Sequence, residues 1–248
     1  MDVFKGVPTS RFSDRVARLM ESVEHRVAIS PGEREAAYRL RYDAYLRNGL
    51  LAARVDHRLH DQRYDDAPDT WVSLTYVDGE LAGTARISFG ADCDALLPSL
   101  RVYPEVIAPR LALGRSIVEF TRLAAKLEFS QAYPELAYLI MRPAYLAAEH
   151  FRADFAVASP RAEHMAFYRR VFGGEQWCAP RPYPGLTALF GCMGADFRAA
   201  QAGVEARYPF FRSAPAEREA LFGPRLAERR RSEGAVDIRR RVAENTLA

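Results

Sequence analysis

The amino-acid sequence predicts a mixed α/β fold, in which a mixed sheet carries extra helices at the N- and C-terminal ends of the chain. Apolar periodicity gives the order strand, helix, long loop, hairpin, strand, helix, strand, helix and two strands, which is not the strict alternation of a parallel sheet. The clearest helix start is the capping box of Ser30 and Glu33, with Pro31 between them. The clearest hairpin turn is Asp78-Gly79, which lies between two alternating apolar segments.

Three segments follow from the distribution of these elements. Residues 1–24 are predicted as an N-terminal helix, residues 25–197 as the α/β domain, and residues 198–248 as a helical, arginine-rich extension. A chain of 248 residues, 49% hydrophobic and 27% charged, can bury a proper core. We therefore expect a folded globular protein and not a disordered one.

The chain carries no recognisable targeting or membrane-spanning segment. No apolar run approaches the length that spans a bilayer, and the N-terminus lacks the features of a secretory signal. The cysteines are odd in number and widely spaced, which is typical of reduced thiols (Cys93, Cys178 and Cys192). We expect a cytoplasmic protein.

The basic residues are almost all arginine. Among the 35 Lys and Arg residues only Lys5 and Lys126 are lysine. The codon bias of a GC-rich bacterial genome explains this without a function, whereas arginine is also the better ligand for phosphate and carboxylate. Between Arg225 and Arg241, seven arginines stand against three acids, as on a solvated helix face. Aromatic residues for base stacking are missing there, so no nucleic-acid binding is expected, while a weak contact with a membrane surface stays open.

The N-terminal part is predicted to contain two helices and one short strand. An apolar stripe indicates an amphipathic helix over residues 10–24, and Val27–Ile29 is a short strand. The next helix begins at Pro31 and runs to about Leu46, where Asn48-Gly49 ends it.

The middle of the chain is predicted to contain the hairpin and the central strand. Residues 50–69 are polar, without a period, and form a long loop of the kind that is often functional. The hairpin follows, and its register places Thr84, Arg86 and Ser88 on one face. Residues 91–114 are irregular, and residues 116–124 are the central strand.

The last part of the chain is predicted to alternate helices and strands. Helices are expected at 134–151, at 161–172, where Gly173-Gly174 ends the helix, and from Arg198 onward; strands are expected at 155–158, 175–178 and 186–193.

Glu119, Thr121 and Arg122 are polar residues in the otherwise apolar central strand. Unpaired buried charge is costly, so the carboxylate and the guanidinium need a partner or a function. One explanation is a mutual salt bridge between Glu119 and Arg122; the other makes Glu119 a general base and Arg122 a clamp for a carboxylate. On a regular strand Arg122 lies opposite the other two, so joint action requires a β-bulge or a strand end.

A second group of candidates lies in the helix at residues 161–172. Tyr168 is placed to present its hydroxyl to a cleft and to protonate a leaving thiolate. The alternative is that Phe167, Tyr168 and Val171 simply face the core. We expect His164 to be structural.

A third group joins Arg41, on the tyrosine-rich helix, with Asp61 and Asp65 of the following loop. Acidic residues in loops are usually only solvated, so the residue types alone do not show whether Asp61 and Asp65 have a function. His57-x-x-His60-Asp61 offers three possible metal ligands but matches no strong metal-binding signature, so no metal is expected.

Four motifs, taken in order, resemble one family. The motifs are Tyr38-Arg39-Leu40-Arg41-Tyr42-Asp43-Ala44-Tyr45, Glu119-x-Thr121-Arg122-Leu123-Ala124, Pro160-x-x-x-His164-x-x-Phe167-Tyr168, and Arg181-Pro182-Tyr183-Pro184. Together they resemble the GNAT acyltransferase fold and, within it, the bacterial N-acyl amino acid synthases, relatives of the acyl-homoserine lactone synthases. The second motif is similar to the Glu-x-Ser/Thr-Arg signature shared with the lactone synthases. The resemblance covers about residues 25–197.

The resemblance implies an enzyme that moves a fatty acyl group from an acyl-carrier-protein thioester to the amine of an amino acid or a similar acceptor. It places Arg41 and Glu119 at the reaction centre, with Arg86 and Arg122 nearby. Asp61 or Asp65 would come from the acidic loop, and Tyr45, Phe120 and Thr121 complete the expected substrate-binding set. No permanently bound cofactor is implied, because the donor carries its own phosphopantetheine thioester.

The stretch from Lys126 to Pro134 departs from the acetyl-CoA-using branch of this fold. Those enzymes bind pyrophosphate with a Gln/Arg-x-x-Gly-x-Gly/Ala loop at a helix N-terminus, and the stretch here contains no glycine. A carrier-protein donor, which lacks the adenosine pyrophosphate, accounts for this loss, although acyl-CoA is not excluded. P-loop, Rossmann and G-x-S-x-G motifs are also missing.

The expected mechanism is direct attack without a covalent acyl-enzyme. Glu119 takes the proton of the acceptor ammonium, Tyr168 is a candidate acid for the thiolate, and backbone N–H groups of the central strand hold the oxyanion. Arg86 or Arg122 binds an acceptor carboxylate. The alternatives are an acyl-homoserine lactone synthase, a CoA-dependent N-acyltransferase, and a non-catalytic GNAT-like module that binds lipid or nucleic acid.

Overall fold

The computed structural model describes residues 11–223, which fold around one seven-stranded sheet. Its strands are β1 Val23–Val27, β2 Thr70–Val77, β3 Glu80–Gly90, β4 Ile117–Ala125, β5 Phe155–Ala158, β6 Glu175–Pro182 and β7 Leu189–Asp196. They lie in the order β1-β2-β3-β4-β5-β7-β6, and only β4 and β5 run parallel to each other. The mixed α/β prediction is confirmed.

Helices cover both faces of this sheet. They are α1 Arg11–Met20, α2 Pro31–Arg47, α3 Gln62–Asp65, α4 Pro98–Val102, α5 Pro104–Ala112, α6 Leu127–Ala132, α7 Leu136–His150, α8 Met165–Phe172 and α9 Phe197–Arg207, with a further helix over 215–223. Between residues 11 and 223, none of them combines the length and the apolarity that a membrane crossing requires. The predictions for residues 1–10 and for the arginine-rich stretch from Arg225 to Arg241 lie outside the described residues.

Two local sequence signals form as predicted. The Ser30 side chain accepts from the Glu33 N–H and the Glu33 carboxylate accepts from the Ser30 N–H, with Pro31 at the first helical position. At the hairpin turn, Asp78 and Gly79 both have positive φ, 50° and 81°. That geometry is a type I′ turn, which matches the twist of the flanking strands.

Three parts of the prediction are wrong, and one of them is the long loop at residues 50–69, which contains the short helix α3. Residues 91–114 are not irregular throughout, since they contain α4 and α5, each of which begins at a proline. Proline at the first turn is compatible with a helix, but elements this short show no clear apolar period. The first strand is Val23–Val27 and not Val27–Ile29, because α1 already ends at Met20.

The core is divided by the sheet. One face packs against α7 together with α1 and α9, through residues such as Val16, Ile140 and Phe197. The other face packs against α2 near β2 and β3, and against α4 and α5 near β4 and β5. The helix α1, before the predicted boundary at residue 24, and the helix α9, after the predicted boundary at residue 197, therefore pack in the same core as α7 between them.

Candidate active site

The two parallel strands separate after four residue pairs. Ile117–Phe120 of β4 pairs with Phe155–Ala158 of β5, but β4 continues to Ala125. Beyond Phe120 the strands leave a cleft of about 430 Å³. Its walls include four predicted substrate-binding or catalytic residues besides Phe120, namely Tyr45, Thr121, Arg122 and Tyr168. Because the β4–β5 pairing ends at Phe120 and Ala158, the N–H groups of β4 beyond Phe120 that point to this side receive no partner from β5.

A β-bulge lies on β4 at the edge of the cleft. Arg86 of β3 is opposite Thr121, and Thr84 is opposite Ala124, so two β4 residues face a single β3 residue. Arg122, one of the two, has the left-handed φ of 56°. A non-glycine residue there costs about 1–3 kcal/mol of strain. The bulge that joint action of Thr121 and Arg122 requires is therefore present.

The Arg122 side chain is buried among aromatic rings. Its guanidinium lies 5.9 Å from the ring centre of Tyr45 and 6.0 Å from that of Tyr183. Burial, followed by the neighbouring charge of Arg86, lowers the pKa of Arg122. Between residues 11 and 223 Arg122 forms no ion pair with Glu119, so the mutual salt bridge is not the explanation for these two residues.

Glu119 is fully buried and is held by Ser99. Both carboxylate oxygens accept from the Ser99 N–H at 3.0 Å, and Oε2 also accepts from the Ser99 hydroxyl at 2.8 Å. Burial raises the pKa of Glu119 to about 7, although the hydrogen bonds from Ser99 and the charge of Arg86 act in the opposite direction. A carboxyl group with this pKa takes up and releases a proton near neutral pH, as a general base requires.

A buried ion-pair network lies next to Glu119. Arg41 donates to Asp65 at 2.8 Å, and Arg86 lies 3.6 Å from the same oxygen, which is too long for a hydrogen bond. Arg86 also donates to the Thr121 hydroxyl at 3.0 Å. Burial disfavours ionised Asp65, but Arg41, Arg86 and the Asp61 N–H outweigh it and lower its pKa to about 2.

The two candidate loop acids differ in their surroundings. Asp65, at the end of α3, is buried against the two arginines. Asp61 is half-buried and contributes its backbone N–H, which donates to Asp65 at 2.8 Å. The structure therefore brings Asp65, and not the Asp61 carboxylate, into the arginine network.

The site has buried donor groups without acceptors. Among the described residues, no hydrogen-bond partner is found for Nε and Nη2 of Arg41, Nη1 of Arg86, Nη1 of Arg122 or the Tyr183 hydroxyl. Three guanidinium groups here are accompanied by two carboxyl groups, Asp65 and Glu119. Buried polar groups are normally hydrogen-bonded, and the surplus of positive charge fits an anionic ligand.

Tyr168 lies on the cleft side of α8. Val171 is buried in the core, whereas Tyr168 is half-buried and lines the cleft. Burial, together with the neighbouring Tyr45, raises the pKa of Tyr168, which keeps its hydroxyl protonated. His164 is exposed, and its Nε2 is 3.0 Å from Arg161. The helix thus turns Tyr168 and not His164 towards buried surroundings.

An apolar cavity of about 70 Å³ adjoins the cleft. The cavity and the cleft share the side chains of Phe120, Met141 and Tyr168. Small residues line much of the remainder: Ala144, Ala156, Ala158, Ala195 and Ala200. The cleft therefore continues into an apolar space between the sheet and the helices α7, α8 and α9.

Two residues of the site have no role in the sequence prediction. Ser99 lies in the stretch read as irregular, where no pattern marks it. Tyr183 belongs to a motif, but the motif gives it no role. The β6–β7 turn places it within electrostatic reach of Glu119, Arg86 and Arg122. That turn is anchored by Thr187, whose N–H and hydroxyl donate to the Leu50 and Gly49 carbonyls. Over residues 11–223 no three His, Cys, Asp or Glu residues are grouped to hold a metal ion.

Three solved structures with similar folds are synthases of N-acyl amino acids or of acyl-homoserine lactones. FeeM, an N-acyl amino acid synthase from uncultured soil microbes, is similar with a TM-score of 0.63 and 19% identity over 75% of this chain and 96% of that chain. The AHL synthase LasI has a TM-score of 0.53, with 16% identity over 73% and 94% of the two chains. MesI, a CoA-dependent acyl-homoserine lactone synthase, has a TM-score of 0.51, with 17% identity over 77% and 97%.

The fold is therefore the GNAT-like acyltransferase fold that the sequence motifs resemble. No curated protein matches the sequence. The model of one protein family, described as N-acyl amino acid synthase FeeM, matches residues 36–196. That range is more than half of the 248 residues and includes the site from Arg41 to Tyr183. The chain belongs to the FeeM family of N-acyl amino acid synthases.

Proposed function

We propose that this acyltransferase moves a fatty acyl group from a carrier-protein thioester to the amine of an amino acid, with Glu119 as the general base. The observation that carries the proposal is Glu119 itself, a buried carboxylate without a salt-bridge partner between residues 11 and 223, three residues before the bulged Arg122 at the edge of the β4–β5 cleft. Its pKa, raised by burial to about 7, suits proton transfer at neutral pH.

The reaction then proceeds by direct attack. Glu119, through a water, takes a proton from the acceptor ammonium, and the free amine attacks the thioester carbon. A C–N bond forms, the C–S bond breaks, and the thiolate leaves. N–H groups of β4 beyond Phe120 stabilise the oxyanion. The attacking nitrogen loses its second proton as the amide forms, and the Tyr168 hydroxyl, which lines the cleft, passes its own proton to the thiolate and takes up that one, so it ends the step neutral.

The acceptor carries a carboxylate in this proposal. Support comes from the buried Nη1 atoms of Arg86 and Arg122, which have no hydrogen-bond partner within residues 11–223. A carboxylate accepts from such guanidinium groups and balances their charge. Arg41 and Asp65 act indirectly in this proposal, because their ion pair holds Arg86 in position.

The distal end of the acyl chain occupies the apolar cavity next to the cleft. The thioester lies in the cleft, and the chain passes Phe120, Met141 and Tyr168 into the space lined by alanines. Each methylene removed from water contributes about 0.8 kcal/mol, which favours a fatty acyl group over an acetyl group.

The donor is a carrier protein in this proposal, and two observations support this over CoA. The N-terminus of α7 is preceded by the buried Glu135, which pairs with Arg15 of α1. The glycine-free stretch from Lys126 to Pro134, which leads into this helix, offers no backbone loop for the pyrophosphate that CoA would bring. The cleft rim also carries Arg47 and Arg161, which attract an acidic carrier protein.

The test is an assay with matched donors and a panel of acceptors. Wild-type protein is incubated with dodecanoyl-carrier protein or dodecanoyl-CoA and with each of the twenty amino acids, S-adenosylmethionine and several simple amines. Mass spectrometry is expected to detect an N-dodecanoyl amino acid formed faster from the carrier protein. Formation of an acyl-homoserine lactone, or faster turnover of the CoA thioester, would instead favour one of the two enzymatic alternatives.

A further inference from the structure

All hydrogen bonds to the side-chain oxygens of Glu119 within residues 11–223 come from a single residue, Ser99. The Ser99 N–H is 3.0 Å from both oxygens, and the Ser99 hydroxyl is 2.8 Å from Oε2. Both residues are fully buried. Because the hydroxyl contacts Oε2 alone, Oε1 keeps a lone pair that can accept a proton.

The position of Ser99 is imposed by its surroundings. It is the second residue of α4, directly after Pro98, whose ring fixes the backbone at the first helical position. The Tyr103 hydroxyl donates to the Phe190 carbonyl at 2.7 Å and ties the end of this short helix to β7. Leu97 and Val102 are buried in the same apolar cluster. Ser99 is therefore a rigid donor and not a surface group that happens to reach Glu119.

The other titratable groups near Glu119 come from three further elements. They are Arg86 on β3, Tyr183 after β6 and Cys192 on β7. Arg86 already donates to Thr121, and its nearest carboxylate is Asp65. No neighbour of Glu119 within residues 11–223 is therefore a direct cationic partner, and Ser99 alone fixes the direction of its carboxylate.

We propose that Ser99 is a positioning residue for acyl transfer: its hydroxyl and N–H hold the Glu119 carboxylate in one rotamer and keep it ionised, ready to accept the proton of the acceptor ammonium. This inference rests on the proposed role of Glu119 as the base. Loss of the hydroxyl removes a hydrogen bond that favours the charged form, so Glu119 becomes harder to ionise.

The experiment measures the titration of Glu119 and the turnover separately. Protein labelled with ¹³C at the glutamate carboxyl carbon is titrated by NMR, and the Glu119 signal is assigned by its loss in Glu119→Gln. The variants are Ser99→Ala, Ser99→Thr and Ser99→Cys. The matched control is Ser116→Ala, because the Ser116 N–H and hydroxyl donate to Asp154 in the same manner, at 2.9 and 3.0 Å, outside the site.

In Ser99→Ala the midpoint of the Glu119 titration is expected to move up by about one pH unit. The kcat/KM for the best acceptor of the panel falls about fivefold at pH 7, because about half of Glu119 is ionised there in wild type and about a tenth in the variant, and it recovers towards pH 9. Ser99→Thr is expected to keep the wild-type pH profile, and Ser116→Ala is expected to leave it unchanged. If Ser99→Ala fails to fold, Ser99→Cys replaces it, because the weak thiol donor is expected to give the same upward shift.

Two results separate failure of this inference from failure of the proposed function. If Glu119→Gln is inactive but Ser99→Ala titrates and turns over like wild type, the positioning role is wrong and the base assignment stands. If Glu119→Gln retains full turnover, the base assignment itself is wrong, whatever the NMR titration gives. An equal loss of turnover in Ser99→Ala at every pH, with an unchanged titration, would also overturn the proposed role.

Discussion

Arg41 and Asp65 form a fully buried ion pair with 2.8 Å between Nη1 and Oδ1. The pair joins α2 to the loop that follows it, across 24 positions in the sequence. It also holds the second arginine, Arg86, at 3.6 Å. The acidic loop is therefore part of the site's interior and not only a solvated surface segment.

Removal of the Asp65 carboxylate is expected to destabilise the fold strongly. Asp65→Ala leaves Arg41 and Arg86 buried with reduced countercharge, which costs about 3–5 kcal/mol. The free energy of unfolding in urea measures this. The control is Asp66→Ala, whose exposed ion pair with Arg34 at 3.5 Å contributes at most about 1 kcal/mol. Equal losses in the two variants would contradict the interior role of Asp65.

The pH dependence of stability provides a second prediction. Burial raises the pKa of Glu119 from 4.5 to about 7 in the folded state, so the folded protein binds this proton more tightly than the unfolded chain. This stabilisation is fully present below pH 4.5, the pKa of Glu119 in the unfolded chain, and is lost as the pH rises through about 7, its pKa in the folded protein. Glu119→Gln, which is always neutral, is expected to gain stability relative to wild type between pH 4.5 and 8.

Urea unfolding at several pH values measures this difference. Glu128→Gln, at an exposed position of α6, is the control and is expected to run parallel to wild type. If the free energy of unfolding of Glu119→Gln also ran parallel to that of wild type over this pH range, Glu119 would ionise as easily in the folded protein as in the unfolded chain. That result is incompatible with its burial.

The apolar cavity is expected to set the accepted acyl length. Ala200 of α9 lines the cavity, so Ala200→Phe fills part of it. The ratio of kcat/KM for dodecanoyl over hexanoyl donors should fall about tenfold or more, since each lost methylene contact is worth roughly 1–3 kcal/mol. Ala199→Phe, at the neighbouring exposed position, should leave the ratio unchanged. If both variants keep the wild-type ratio, the chain binds elsewhere.

Charge at the cleft rim is expected to control the carrier protein and not the chemistry. The double variant Arg47→Glu with Arg161→Glu should raise the KM for dodecanoyl-carrier protein about tenfold at low salt, and the KM for dodecanoyl-pantetheine should stay constant. Arg18→Glu, an exposed site on α1, is the control. Equal effects on both donors would point to a damaged cleft instead of lost docking.

Much of the fold is readable from local signals in the sequence. The capping box at Ser30 and the turn at Asp78-Gly79 depend on neighbouring residues only, and both form as predicted. Glu119, Thr121 and Arg122 could be singled out because charge within an apolar strand is costly. What their side chains contact depends on register, which the sequence of one strand does not determine.

The remaining features arise from contacts between distant segments. The bulge at Arg122 exists only as a mismatch between β4 and β3. Ser99 reaches Glu119 because α4 docks against β7, 20 positions away in the sequence from the carboxylate it holds. The helices α4 and α5 are too short to give a period, so the segment that positions the base carries the weakest signal in the sequence.

Acyl transfer to an amino acid depends, in the proposed mechanism, on Glu119 as the base. The most direct measurement is the turnover of dodecanoyl-carrier protein with the best acceptor of the panel, for wild type and for Glu119→Gln with its fold verified by circular dichroism. Wild type is expected to form the N-dodecanoyl amino acid, and Glu119→Gln is expected to be slower by about 100-fold or more at pH 7. Wild-type turnover in the folded Glu119→Gln variant would contradict the role of Glu119 as the base.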